Sequence, residues 1–301
     1  MVAIPFVRDF DFEYGRADAV SPLIRRVIAI NPGPFTFTGT GTYIVGHGEV
    51  AVIDPGPDLP EHLDAILKAV EGERVTAVLV THNHADHSPL AGALSRATGA
   101  KIHGAPPLHA AGHSLSQIEE AHDAAFAPDV TVSIGSRLAG PGWTLIAVPT
   151  PGHTANHVCY ALLEENALFT GDHVMGWATT VVIPPDGDMT QYCASLDVIR
   201  QMDFAILWPT HGPPVTDPGP FLAACLAHRH EREADILREV RRAPRTVGEI
   251  VERLYAGLDL RLRAAAAMSV WAHLIALTRN GQVESDDGKP LLSSVYRPPE
   301  T

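Results

Sequence analysis

Thr81-His82-Asn83-His84-Ala85-Asp86-His87 puts three imidazoles and one carboxylate within six residues, directly after the continuous apolar run 75–80. A strand buried on both faces reads as such a run, so this polar cluster falls where a covered sheet hands its chain over to a helix predicted for 89–98. Neutral imidazole with carboxylate suits zinc, and a strand end holds ligands rigidly. A solvated loop also uses His and Asp. Three further matches weigh against that reading. Thr150-Pro151-Gly152-His153-Thr154 follows a strand at 144–148, Thr170-Gly171-Asp172-His173 follows one at 167–170, and Pro209-Thr210-His211-Gly212-Pro213 follows one at 206–208. Each offers one ligand at the end of an apolar run, beside a Gly that lets the chain turn. Four strand ends feeding one rim point to a metal site.

The remaining pattern fits such a sheet. Short β-type runs at 23–30, 43–46 and 49–53 are separated by Gly and Pro clusters, which predicts a meander with tight turns. Helical spacing follows over 59–71, then strands at 101–103, 130–134 and 158–163 and helices at 115–125 and 191–201. A mixed sheet arrangement covered by helices is implied. Residues 106–113, rich in Gly, Pro, Ala and His, read as an irregular insertion near the site. Pro and Gly crowd 213–220 and mark a boundary. Beyond it come a long helix over 221–242, a helix over 246–256 opened by the capping box Thr246-Val247-Gly248-Glu249, and a helix over 261–279. A hairpin built from 282–285 and 291–296 closes the chain. Three helices and a hairpin are the order of a winged-helix module.

With 301 residues, one domain of about 200 residues plus a smaller companion is expected. The division is placed at 1–217 and 218–301. No apolar run reaches the roughly 18 residues of a membrane helix. The first eleven residues carry Arg8 alone and lack an apolar core and a cleavage site, so cytoplasmic residence is the default expectation. Cys159, Cys193 and Cys225 stand singly, which argues against disulfides and thiolate ligands. Residues 221–301 hold 12 Lys+Arg and 11 Asp+Glu, which leaves 10 basic and 24 acidic residues and a net charge of −14 in 1–220. So acidic a catalytic portion repels polyanions.

The H-x-H-x-D-H motif, the single His, the Gly-Asp and the final His, in that order, resemble the metallo-β-lactamase superfamily. The resemblance implies an α/β fold, a four-layer αββα sandwich, here with a small, mostly α winged-helix-like C-terminal domain. It also implies two metals: His82, His84 and His153 at one, Asp86, His87 and His211 at the other, with Asp172 bridging. Asp54, in Val52-Ile53-Asp54-Pro55-Gly56, matches a motif whose acid supports the site from behind the ligands; a simple turn role competes. Asn31-Pro32-Gly33-Pro34, residues 39–46, Gly171-Asp172 and the C-terminal region are similar to the β-lactamase-like branch that includes an endoribonuclease and carrier-protein thioesterases. Gly41 departs from it, since that branch more often carries Asn there. Asn156-His157-Val158-Cys159-Tyr160 resembles the glyoxalase II type of thioesterase. His157 and His173 are candidates to act in the site. His103, His109, His113 and His122 are assigned to a solvated surface around the insertion.

The implied chemistry is hydrolysis. Two zinc ions per chain, with Mn2+ or Fe2+ as substitutes, share a water and lower its pKa, giving a bridging hydroxide. Asp86 and Asp172 orient it and take its proton. The first expected substrate is a small ester or thioester. A metal-dependent endoribonuclease and a β-lactam-type amide hydrolase are the alternatives; an iron-based, flavin-partnered oxygen reductase lacks its flavin domain. The small apolar segment Ala264-Ala265-Ala266-Ala267-Met268-Ser269-Val270-Trp271 suits packing against the catalytic domain or a second copy of the chain better than it suits DNA. Partners are therefore a small molecule first, nucleic acid second, a homodimer as an open alternative, and no membrane.

Overall fold

A computed structural model describes residues 3–107 and 122–299. One sheet runs β1 (Asp18–Ala19), β2 (Ile24–Ile28), β3 (Gly41–Val45), β4 (Glu49–Ile53), β5 (Arg74–Leu79), β6 (Lys101–Gly104) and β7 (Val130–Thr131) in that order. It is antiparallel up to β4 and parallel beyond. The second holds β8 (Arg137–Gly140), β9 (Trp143–Pro149), β10 (Val158–Leu162), β11 (Ala167–Gly171) and β12 (Ile206–Pro209), in the order β12-β11-β10-β9-β8.

Both faces of each sheet are covered, and the period of two along the strands sorts side chains between them. Tyr43, Val45, Ile53 and Leu79 of the first sheet meet Leu145, Tyr160, Leu162 and Phe169 of the second in the central core. Their neighbours Ile44, Val52 and Val78 point the other way, to α1 (Pro60–Ala69) and α2 (Leu90–Thr98), where Ile66 and Leu94 wait. Cys159 and Leu168 turn outward to Tyr192, Leu196 and Ile199 of α3 (Met189–Gln201) and to Phe221 and Leu222 of α4 (Pro218–Arg242). Helix, sheet, sheet, helix is the four-layer αββα order.

Past the sandwich, α5 (Val247–Leu254), α6 (Leu260–Arg279) and a small sheet in the order β13 (Arg245–Thr246), β15 (Val295–Arg297), β14 (Glu284–Ser285) enclose their own core of Ile236, Val240, Ile250, Leu274, Leu277 and Tyr296. The Thr246–Glu249 capping box is formed in both directions. Helix α4 serves two cores, giving Phe221 and Leu222 to the sandwich and Ile236 and Val240 to the winged helix. The Arg279 guanidinium of α6 donates to Asp188 at the start of α3 and ties the modules together. Among the described residues no helix is long and apolar enough to cross a membrane.

Two expectations need correction. The helix over 115–125 does not extend into its described part: His122 bridges to His84, and Asp123 Oδ1 accepts from the Ala125 N–H at 2.9 Å, a local turn that competes with helix. Residues 108–121, with His109, His113 and most of the insertion, lie outside the described residues. The last strand starts at Val295, not 291, because the Ser294 hydroxyl bonds Asp287 and the Lys289 carbonyl and holds 289–294 as a loop.

Candidate metal centre

The site forms at one edge of the sandwich, where strand ends of the two sheets converge. Val158 N–H donates to the Thr81 carbonyl at 2.8 Å, Gly41 N–H to the Thr210 carbonyl at 2.8 Å and Thr210 N–H to the Gly171 carbonyl at 3.2 Å. These bonds draw the ends of β5, β11 and β12 and the starts of β3 and β10 together, so the chain segments that follow or precede them share one rim.

On that rim His82, His84 and His153 turn ligand atoms toward one point, and Asp86, His87 and His211 toward a second. Asp172 lies between. Its Oδ1 is 3.3 Å from His211 Nε2 and 3.4 Å from His87 Nε2, and its Oδ2 is 3.9 Å from His153 Nε2. Asp86 Oδ2 is 3.1 Å from His211 Nε2. All seven predicted residues are thus gathered, all of them buried.

The backs of the rings show which nitrogen faces inward. His87 Nδ1 is 2.9 Å from Asp54 Oδ2, His153 Nδ1 is 2.8 Å from the Val181 carbonyl, and His211 Nδ1 is 3.1 Å from the Gly39 carbonyl. These partners only accept, so each Nδ1 carries a proton and each Nε2 is the nitrogen that faces inward. Thr81 gives its hydroxyl proton to Asp54 Oδ2, so the 3.0 Å contact with His82 Nδ1 is a donation from the ring. His82 Nε2 therefore faces His84 Nδ1 at 2.9 Å as an acceptor. His87 Nε2, His153 Nε2 and Asp172 Oδ1 are buried without any hydrogen-bond partner. Orphaned buried acceptors are costly unless a cation completes them, so the residues present fit two metal ions.

The electrostatics agree. Burial, with the neighbouring imidazoles, holds His82 well below the usual imidazole range; burial is also the main cause of the downward shifts of His84 and His153. At His211 burial again favours the neutral ring, but Asp172 and Asp86 outweigh it and push it up to about 10, and the carboxylates likewise raise His87. Burial would raise Asp172, and His211 and His87 more than reverse that. The half of the cluster holding the carboxylates calls for positive charge.

Asp54 carries both roles weighed for it. It stands at φ 47°, a left-handed turn conformation that Asp tolerates. Its carboxylate also accepts from Thr81 N–H, the Thr81 and Thr210 hydroxyls and His87 Nδ1–H. His157 turns neither ring nitrogen to that cluster. Its Nε2 accepts the Asp172 N–H at 3.2 Å, while its Nδ1 lies 2.8 Å from the Thr150 hydroxyl. That arrangement requires Gly171, whose φ is 51° and whose added Cβ would stand 2.6 Å from His157 Nε2. His173 is buried against Tyr192 with both ring nitrogens unpartnered. His122, expected on the surface, is half-buried: its ring centroid lies 5.2 Å from that of His84, and its Nε2 is 3.4 Å from Asp186 Oδ2. At Gly41 a Cβ would meet Thr210 O at 3.1 Å and Arg26 Cδ at 3.3 Å, so the buried Arg26 fills the space of the missing Asn. Thr81, Thr150, Thr210 and Asp186 were missed as supports, although a Thr stands in every motif.

The family model of the metallo-beta-lactamase superfamily matches residues 36–211, and that of the beta-lactamase associated winged helix domain matches 246–289. The chain is 30% identical over 275 residues to a beta-lactamase-like protein 2 homolog of Caenorhabditis elegans, covering 89% of this chain and 88% of that one. It is 35% identical over 249 residues to an atrochrysone carboxyl ACP thioesterase of Aspergillus chevalieri, covering 78% and 74%. A beta-lactamase domain protein from Burkholderia ambifaria superposes with a TM-score of 0.78 at 21% identity, over 97% of this chain and 96% of that one. A metallo-beta-lactamase family protein from Thermus thermophilus gives 0.75 at 21%, over 93% and 100%. Matched by family over its sandwich and by relatives over most of its length, the chain belongs to the metallo-beta-lactamase superfamily and carries that superfamily's associated winged helix.

Proposed function

We propose that the chain is a dinuclear metal-dependent hydrolase of thioesters or small esters. The observation that carries this reading is the set of ring nitrogens of His82, His84, His87, His153 and His211 gathered around two carboxylates, opening onto a cleft with largely apolar walls. The thioesterase name of two relatives supports the thioester.

His82, His84 and His153 would hold one ion, Asp86, His87 and His211 the other, and Asp172 both; zinc suits this N and O donor set. When bound, the ions supply a water acidified to near neutrality and a Lewis acid for the carbonyl oxygen. Asp172, fixed through its N–H by His157, presents one oxygen to each half of the cluster. Asp86 and Asp172 orient the attacking water and receive its proton, which then passes to the departing thiolate or alkoxide. Water adds its oxygen to the carbonyl carbon, the C–S or C–O bond breaks, and acid and thiol or alcohol leave. A division into 1–217 and 218–301, with α4 shared, belongs to the same proposal.

The test is the purified, metal-loaded protein on a panel of acyl thioesters and esters beside single-stranded RNA. Expected is a thioester kcat/KM of at least about 10⁴ M⁻¹s⁻¹. Background rates on the whole panel with metal-dependent RNA cleavage would transfer the assignment to a nuclease.

A further inference from the structure

A cleft of about 230 Å³ opens from His153 and Asp172 and runs toward the winged helix. One wall is aromatic: it includes Phe35 and Trp177, and Trp177 is stacked on Phe37 with centroids 4.7 Å apart. Across from it α6 presents Ala265, Ala266 and Ser269, three small residues on one helical face. Arg229 is the one Lys or Arg among the described residues of the lining, and it is committed to the wall. It is buried, donates to the Thr180 carbonyl and lies 5.0 Å over the Tyr192 ring. Small residues on a helix are not in themselves a site. Here the same cleft is lined by His153, 4% exposed with Nε2 unpartnered, and by Asp172, 8% exposed with Oδ1 unpartnered.

We propose that this cleft holds the acyl group of the substrate, its carbonyl at the His153–Asp172 end, and that Ala265, Ala266 and Ser269 of α6 set which acyl groups fit. The inference rests on the thioesterase reading and names its substrate class: a medium-length aliphatic or aromatic acyl group. Among the described residues the walls offer no free cation to a phosphate. Each methylene they bury strengthens binding about fourfold. The winged helix is then a specificity element, held against the catalytic layers by Arg279 and Asp188.

The experiment compares acetyl, butanoyl, octanoyl and benzoyl N-acetylcysteamine thioesters on the metal-loaded full chain and on Ala266→Leu and Ser269→Leu, each checked for an intact thermal transition. In the parent kcat/KM rises with acyl length. In Ala266→Leu the octanoyl-to-acetyl ratio falls at least about 20-fold, with Ser269→Leu moving the same way. Octanoate binding by calorimetry is measured in parallel and weakens at least about tenfold in Ala266→Leu. An unchanged ratio in both folded variants overturns the proposal while leaving the thioesterase reading intact. If the parent cleaves no thioester, that reading fails by itself, and calorimetry decides: weakened octanoate binding in the variant sustains an apolar site, and absent or equal binding ends it.

Discussion

Asp54 Oδ2 accepts the Nδ1–H of His87 at 2.9 Å, and the same oxygen takes hydroxyl protons from Thr81 and Thr210. One carboxylate thereby fixes the tautomer of His87 in the first motif and the chain just before His211 in the last. Asp54→Ala is expected to weaken metal affinity and lower kcat/KM by about 10–100-fold, as loss of a ligand-orienting partner does. Competition against a chromophoric chelator measures the first and steady-state kinetics the second; affinity within twofold of the parent would speak against the role.

Elemental analysis of active protein should find about two metal ions per chain, since the donors fall into two groups joined by Asp172. Asp172→Ala should bring the content toward one and cost on the order of 100-fold in turnover or more. One metal at most in fully active parent protein would sink the dinuclear assignment.

His157 acts through Asp172, holding its N–H from behind Gly171. His157→Ala is expected to lower kcat by about tenfold or more with KM little changed, because the change displaces a bridging carboxylate and leaves substrate binding alone. His157→Gln, which keeps an acceptor, should recover part of that. Equal loss in both variants, or a loss confined to KM, would argue that the residue only packs.

A pH effect on stability is expected from His62. The ring is buried, and burial lowers its pKa to about 4. Thr42 donates to the Asp54 carbonyl at 2.7 Å, so its hydroxyl takes a proton from His62 Nε2 at 2.8 Å, and the ring is neutral when folded. The unfolded chain binds a proton near pH 6.5 that the folded chain refuses down to about 4. Stability from this group is therefore present above 6.5, lost as pH falls between those values, and level below; the full span is on the order of 3 kcal/mol. Denaturant unfolding of parent and His62→Gln at about pH 7 and about pH 4.5 should show the variant losing less stability on acidification. Parallel losses would refute the account.

That the seven His and Asp side chains would meet was legible because they cluster in short segments after apolar runs, and so were the doubly covered strands β4, β5 and β10. The strand β8 was not. At an edge it needs backbone pairing alone: Arg137 and Ala139 are exposed, and Gly140 is required because its Cβ would sit 2.5 Å from Trp143. The supports of the ligands were harder still. His153 and His211 lean on the carbonyls of Val181 and Gly39, 28 and 172 residues away, and a carbonyl leaves no trace in side-chain identity. The alanines of 264–267 announced a close approach; that part of their face borders a cleft could come only from the tertiary arrangement.

Because α4 places Phe221 and Leu222 in one core and Ile236 and Val240 in the other, its 25 residues form a continuous strut between modules rather than a linker. Cutting the chain before Pro218 strips apolar cover from the sandwich, and cutting it after Arg242 strips it from the winged helix. Neither half is a clean unit for transplantation. A chimera that exchanges the C-terminal module must also redesign the outer surface of the second sheet and α3, so the two modules are constrained to change together.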